Sequence, residues 1–285
     1  MIGIIYNPIA AGGNFRGRMR DLLVLMDSLQ IKYDYRESKK AGDTMDLALE
    51  LAETCSTVLA VGGDGTVFET ITALKDRDVR LAILPYGSGN DAFASVYGED
   101  CTDAELLEHI MSETDIRVDC IRVNDQYNCF ILASYGFAAD LVKAVKEKGG
   151  SYMSQAFRIL FKVNKKDYTI QVNGREMDVR SEYVSVINTG IAGGGMKVCK
   201  DSVMIDGEFE LTILHECGLI RRFLNFIALA RGRLDRQPNL ELIRAKECTI
   251  IAKDGNCIDM DGELLDIDRA EIKMVEGGLR FAYRK

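Results

Sequence analysis

A two-part chain is predicted: a Rossmann-like parallel α/β domain first, an antiparallel β-sandwich second. Three observations carry that expectation. Apolar strand-like runs alternate with helical periods over the first 115 or so residues. From about residue 116, Asn-Asp, Asn-Gly and Asp-Gly pairs recur between short apolar runs, and such pairs tolerate the positive φ of tight hairpins. The conspicuous glycine-rich segments of the first part, Asn7 to Gly13, Gly62 to Thr66 and Gly87 to Asn90, each follow a strand-like run.

MIGIIYN opens the chain as a strand. In RGRMRDLLVLMDSLQ, Met19, Leu22, Leu23 and Met26 recur at helical spacing. IKYDYRE reads as the second strand, and TMDLALELAE as the second helix, with Asp43 or Thr44 placed to cap it. TVLAV is the third strand, VFETITALKD the third helix and LAILP the fourth strand. Strands separated by helices pair in parallel, because a parallel neighbour needs a crossover. In such sheets ligands bind where loops leave the carboxyl ends of the strands.

The second part carries five hairpin signals: IRV-ND-QYNCF, TIQV-NG-REMDV, SVMI-DG-EFELTIL, TIIAK-DG-NCIDM and CIDM-DG-ELLDI. Two helical insertions, roughly 137–163 and 216–233, interrupt it. The last run, LRFAYRK, is expected to return to the first domain. The expected division is therefore 1–116 plus about 279–285, and 117–278.

Composition narrows the function. With 285 residues, 47% hydrophobic and 28% charged, the chain suits one or two globular domains. A net charge of -8 gives no general basic field, so nucleic acid is not an expected partner. No apolar run is long enough to span a bilayer, and the start lacks a charged n-region and a cleavage site, so a cytoplasmic location is expected. The eight cysteines form no CxxC pair and read as reduced thiols; the two histidines, His109 and His215, fall in a polar helix and at a strand end.

VGGDGTVFE ends the third strand with glycines and a single aspartate. Glycines let backbone approach a ligand, and free N–H groups before a helix attract phosphate. Asp64 would repel phosphate unless a cation lies between them, which suggests a magnesium–nucleotide complex. Read alone, the stretch is equally a tight βα turn with an N-cap aspartate. GSGNDA fits G-x-G-x-x-A, but it follows the fourth strand and no acidic strand end comes at the dinucleotide distance. It reads as a second phosphate- or substrate-facing loop, or as a capped turn begun by Asn90 or Asp91. No Gly-Lys dipeptide, and so no Walker A loop, is present.

VGGDGTVFE, LPYGSGNDAFA and MDGE together resemble the bacterial diacylglycerol kinase family of soluble lipid kinases. Sphingosine kinases share that catalytic core, and NAD kinases and phosphofructokinases are more distant relatives. The resemblance runs through YNPIAAG, ASYGFAAD, INTGIAGGG and IDGEFEL, in the family's order. It implies a nucleotide-binding α/β domain joined to a β-sandwich, with ATP in the cleft between them. By position, Asn7, Pro8, Ile9, Ala10 and Ala11 would line the adenosine, and Ser38 would add a contact. Gly63, Asp64, Gly65, Thr66, Val67, Phe68 and Glu69 would hold the phosphates, and Ser88 would contact nucleotide where relatives carry threonine. Asp64 and Asp91 would share a magnesium network. Glu263, with Asp261 beside it, would activate the acceptor hydroxyl. A second, structural magnesium would take the carboxylate of Asp206 and the carbonyls of Val203 and Glu208. Relatives often carry a paired aspartate where this chain has Ile205-Asp206, and proline and alanine where it has MKVCKDSVM after the triple glycine.

The expected activity is ATP- and Mg²⁺-dependent transfer of the γ-phosphate to the hydroxyl of diacylglycerol or a related lipid. The alternatives are a soluble-acceptor kinase of the NAD kinase type and a non-catalytic, nucleotide-responsive lipid-binding regulator. A lipid acceptor implies peripheral contact with a membrane; a homodimer is left open. Two basic stretches suit that contact. Lys143 to Tyr168 includes Phe157, Leu160 and Phe161, and Gly218 to Arg236 includes Ile220, Phe223, Leu224 and Ile227. Equally, these apolar faces are core, or Phe157 with Phe161, or Phe223 with Ile227, line a slot for acyl chains.

Overall fold

The computed structural model describes residues 1–40, 42–112, 114–253 and 257–284. The chain forms two units, Met1–Val118 with Gly277–Lys285, and Asp119–Glu276. Lys285, at the end of the LRFAYRK run, lies outside the described residues.

In the first unit, β1 (Ile2–Tyr6), α1 (Arg16–Ser28), β2 (Tyr33–Glu37), α2 (Asp43–Thr54), β3 (Thr57–Gly62), α3 (Asp64–Ala73), β4 (Arg80–Pro85), α4 (Asp91–Tyr97) and α5 (Asp103–Met111) follow in order. β1 lies between β2 and β3, and β4 flanks β3, all parallel. Ile4, Ile5, Val58, Leu59 and Val61 are fully buried, as strands covered on both faces require. Each such side chain contributes about 1.5–3 kcal/mol relative to exposure. α2 begins differently from the expectation. Gly42 occupies the N-cap position, and the Asp43 carboxylate turns back to accept the N–H groups of Lys39 (2.9 Å) and Lys40 (3.1 Å). α3 starts at Asp64, three residues earlier than the apolar periodicity indicates.

β5 (Asp115–Val123) leads into the second unit, which continues with β6 (Tyr127–Cys129), β7 (Leu132–Gly136), α6 (Phe137–Lys148), α7 (Tyr152–Ile159), β8 (Lys166–Val172), β9 (Arg175–Ile187), β10 (Ile191–Ala192), β11 (Met196–Lys197), β12 (Phe209–His215), α8 (Leu219–Ala230), β13 (Leu240–Ala245), β14 (Glu247–Ala252), β15 (Cys257–Met260), β16 (Glu263–Asp266) and β17 (Arg269–Ala282). The long β9 organises it. Its first half pairs with β8, which continues to β14 and β17, and its second half lies between β7 and β12. β15 and β16 extend the β7 side, and β13 the β12 side. All these pairings are antiparallel. The end of β17 pairs in parallel with β4 inside the first unit, Phe281 opposite Leu81.

Three of the hairpin signals are hairpins. Asn173-Gly174 joins β8 to β9, Asp261-Gly262 joins β15 to β16, and Asn124-Asp125 with Gln126 joins β5 to β6. Each of the dipeptides has positive φ at both residues. The SVMI-DG signal is not one. Residues 202–205 form no strand, and Val203 and Ile205 face solvent. The segment is a loop pinned by Asp119, whose N–H donates to Met204 O at 2.8 Å and whose Oδ2 accepts Gly207 N–H at 2.7 Å. The Asp254-Gly255 signal lies outside the described residues.

Candidate active site

Three loops of the first unit meet at the carboxyl ends of its strands. The loop after β1 brings Asn7 Nδ2 to Thr66 Oγ1 at 3.2 Å, while Asn7 Oδ1 accepts Ile9 N–H. Gly63 and Gly87 sit back to back. A Cβ on Gly87 would lie 2.2 Å from the Cα of Gly63, so nothing but glycine allows the two loops to touch. Asn90, at φ 58°, closes the second loop by bonding both Gly87 N–H (2.8 Å) and Gly87 O (3.1 Å).

Asp64 opens α3, and its Oδ1 accepts the N–H of Ala92 at 3.0 Å, so one carboxylate ties the start of α3 to the start of α4. Burial, and then the neighbouring charge of Asp91, push the Asp64 carboxyl up to about 6, against the bonds it accepts from the α4 backbone. Two carboxylates this close ask for a cation. Among the described residues no group of three or more His, Cys, Asp or Glu side chains is placed to hold one. The pair nevertheless fits a nucleotide-borne magnesium, which takes one or two carboxylates and completes its shell with phosphate oxygens and water.

The other first-unit candidates divide by exposure. Gly65 and Thr66 lie in the first turn of α3; Val67 and Phe68 are buried in it, and the N–H of Val67 donates to Gly63 O at 3.2 Å. Glu69 accepts the N–H of Gly42 at 3.2 Å. Ser38 is buried just past β2, bonded through its N–H to Tyr6 O. Pro8, Ala10 and Ala11 are half-buried, while Ile9 and Ser88 are exposed.

In the second unit the acidic run separates into three roles. Asp261 is buried and its carboxylate accepts the N–H groups of Phe130 (2.6 Å), Ile131 (2.8 Å) and Leu132 (3.0 Å). That is the geometry of a turn anchor. Glu263 is half-buried and reaches Lys146 Nζ at 2.8 Å. Asp259, which the sequence reading passed over, is buried, bonded to Ser134 Oγ (3.1 Å) and Gly262 N–H (2.9 Å), and pushed up to about 7 by burial. Its signal was available: CIDMDG places a lone carboxylate, Asp259, inside an apolar strand run just ahead of the Asp261-Gly262 turn.

Asp259 also lines a cavity of about 110 Å³ walled mainly by apolar side chains of α6, α8 and the strands, among them Phe137, Leu141, Tyr183, Met196, Phe226 and Leu229. Phe157, Phe161, Phe223 and Ile227 do not line it. Inside it stand a buried ion pair, Arg222 Nε to Glu182 Oε2 at 3.0 Å, and Asn225, whose Oδ1 is buried without a partner. α8 is thus apolar on two sides: Phe226 and Leu229 face the cavity with Arg222 and Asn225, while Leu219, Ile220 (81% exposed), Phe223 and Leu224 face solvent. On α7 and just beyond it, Phe157 and Phe161 are also exposed, and Phe157 meets the ring of Phe226 at 5.7 Å. The apolar period of α8 is visible in the sequence, but a periodicity does not say which side of a helix faces the protein.

Of the expected structural-metal residues, Val203 lies on the exposed loop, while Asp206 and Glu208 gather with Glu210 around Arg244.

Residues 1–123 match the family "Diacylglycerol kinase catalytic domain", and residues 136–282 match the "YegS C-terminal NAD kinase beta sandwich-like domain". The chain belongs to the diacylglycerol kinase family of lipid kinases. Members similar to this diacylglycerol kinase family chain include the "Probable lipid kinase YegS-like" of Enterobacter sp. (strain 638), 30% identical over 82% of this chain and 81% of the relative. A second is the "Diacylglycerol kinase" of Bacillus subtilis (strain 168), 26% identical over 91% of this chain and 88% of the relative. The crystal structure of a diacylglycerol kinase from Bacillus anthracis str. Sterne shares the fold, with a TM-score of 0.81 at 22% identity over 99% of this chain and 96% of that one. The chain is accordingly a kinase, with the α/β plus β-sandwich architecture of its family.

Proposed function

We propose that this kinase transfers the γ-phosphate of Mg-ATP to the hydroxyl of diacylglycerol or a closely related lipid, working at a membrane surface. The observation that carries the reading is the contact of the two glycine loops, with Asp64 and Asp91 set beside it. Free backbone N–H groups at the start of α3 suit phosphate, and the adjacent carboxylates do not, unless a divalent cation lies between. When bound, that cation would neutralise charge on the phosphates. The chain's own part is to cradle the phosphate tail with the backbone of Gly63 to Glu69 and to fix the loops through the Asn7–Thr66 and Asn90–Gly87 bonds. Glu263 would accept the proton of the attacking hydroxyl, a contribution of about 10²–10⁴-fold, with Lys146 orienting its carboxylate.

Two features support a lipid acceptor. The apolar cavity beside Asp259 suits an acyl chain. The outward apolar side of α8, with exposed Phe157 and Phe161 and the exposed cations Arg158, Lys162, Arg231 and Arg233, suits the interface of an anionic bilayer. Among the described residues no helix is long and apolar enough to cross a membrane, so the contact proposed is peripheral.

The test is radiolabelled ATP presented with diacylglycerol, monoacylglycerol, a sphingoid base and NAD in mixed micelles, with products resolved by headgroup. Label should enter a lipid and require Mg²⁺, and Glu263→Ala should abolish it while thermal unfolding stays as in the wild type. Label in NAD alone, or undiminished turnover in Glu263→Ala, contradicts the proposal.

A further inference from the structure

We propose that the guanidinium of Arg244 is the cation of the Asp206 loop, doing in this chain the work of the structural magnesium that the family resemblance implies there. Both oxygens of the Asp206 carboxylate are taken. Oδ1 accepts the N–H of Glu208 at 3.1 Å, and Oδ2 is bonded by Arg244 Nη2. The same Nη2 stands 3.2 Å from Glu208 Oε2, and Arg244 Nε stands 3.7 Å from Glu210 Oε1. One fork therefore spans three carboxylates.

The position follows from the sheet. β12 and β13 pair antiparallel with Glu210 directly opposite Arg244, which brings their side chains together on one face. Glu208 precedes Glu210 by two residues, and Asp206 arrives from the loop. The remaining staples of that loop are also within the protein: Ser202 Oγ donates to Glu210 Oε2 at 2.5 Å, and Gly207 N–H to Asp119 Oδ2 at 2.7 Å. A magnesium ion needs oxygen ligands at about 2.0–2.1 Å in near-octahedral array. To reach the Asp206 carboxylate it would have to displace a cation already hydrogen-bonded to that group. The residues present do not fit a resident metal, and a guanidinium is charged at every accessible pH. The loop's order is therefore independent of divalent ions, whichever lipid the enzyme phosphorylates.

The test uses the full chain without nucleotide, in an Asp64→Asn background that removes one of the two carboxylates of the other candidate cation site. Mn²⁺ binding is read by electron paramagnetic resonance and stability by thermal unfolding, with EDTA or with millimolar Mg²⁺ or Ca²⁺. Adding Asp206→Asn should leave Mn²⁺ binding unchanged, and the unfolding midpoint should be the same in EDTA and in Mg²⁺. Arg244→Ala should lower the midpoint in EDTA, recover it with Mg²⁺ or Ca²⁺, and gain one bound Mn²⁺ that Asp206→Asn removes. The proposal is overturned by a Mn²⁺ bound with Arg244 present and lost with Asp206→Asn. Full stability of Arg244→Ala in EDTA, or no recovery of it by divalent ions, overturns it equally. Should Arg244→Ala not fold, the Mn²⁺ comparison with and without Asp206→Asn decides alone.

Discussion

Replacing Gly87 by alanine tests the contact on which the nucleotide site depends. The added Cβ would meet Gly63 Cα at 2.2 Å, Asn90 Oδ1 at 2.9 Å and Gly63 N at 3.0 Å. Ordinary carbon–carbon contact lies at about 3.5–4.0 Å, so the two loops must part by roughly 1.3–1.8 Å. The obstacle is backbone at the end of a strand and the start of a helix, which cannot swing aside like the tip of a side chain. Overpacking of this kind costs about 1–3 kcal/mol in stability. If the loops together cradle phosphate, a displacement of about 1 Å costs activity on the order of 100-fold, well beyond what the stability loss explains. Gly17→Ala is the control. It lies in α1 with nothing within 4 Å of its would-be Cβ, and the exchange should stabilise by about 0.5–1 kcal/mol. Denaturant unfolding and ADP titration calorimetry on both variants give the answer. Wild-type ADP affinity in Gly87→Ala would refute the reasoning, because the loops would then hold nucleotide without touching.

Three further outcomes follow from the second unit. Arg222→Ala strands Glu182, whose side chain is 2% exposed, and should cost about 3–5 kcal/mol, whereas Arg222→Met with Glu182→Leu should recover most of it; denaturant midpoints of the single and double variants check this. Asp259 has its pKa raised from 3.8 to about 7 by burial, so the folded state holds a proton that the unfolded state releases. Its contribution is fully present below about pH 4 and is lost as pH rises through about 7, with a ceiling of about 4 kcal/mol. Stability measured across that range should fall less steeply in Asp259→Asn, and an unchanged slope would exclude Asp259 as its source. Ile220→Asp with Phe223→Asp removes apolar side chains that are 81% and 42% exposed and should cost about 1 kcal/mol or less in unfolding. The same double variant should lose sedimentation with anionic vesicles, and retained sedimentation would place the membrane contact elsewhere.

The order of elements in the first unit was legible because its signals are local. A buried parallel strand is an apolar run and an amphipathic helix has a 3.6-residue period, and neither depends on distant chain. Capping was less so. Asp43 was expected at a helix start, but its carboxylate serves the preceding loop, a choice made by backbone groups that compete within hydrogen-bond reach. The hairpins at Asn173-Gly174 and Asp261-Gly262 were legible through their backbone preference for positive φ. Asp206-Gly207 carries the same dipeptide but joins no pair of strands, because a hairpin also needs a strand on each side and Val203 and Ile205 found no core to enter.

By itself the sequence determined the two kinds of domain, the glycine loops at strand ends and the membership of a lipid kinase family, since backbone freedom and periodicity are written into neighbouring residues. Only the tertiary structure decided that Asp261 anchors a turn, that Asp259 lines an apolar cavity, that α8 leaves Ile220 and Phe223 exposed and that Arg244 sits on Asp206. Those facts depend on which groups far apart in the chain come within a few ångströms of one another, and burial and electrostatics act through that distance.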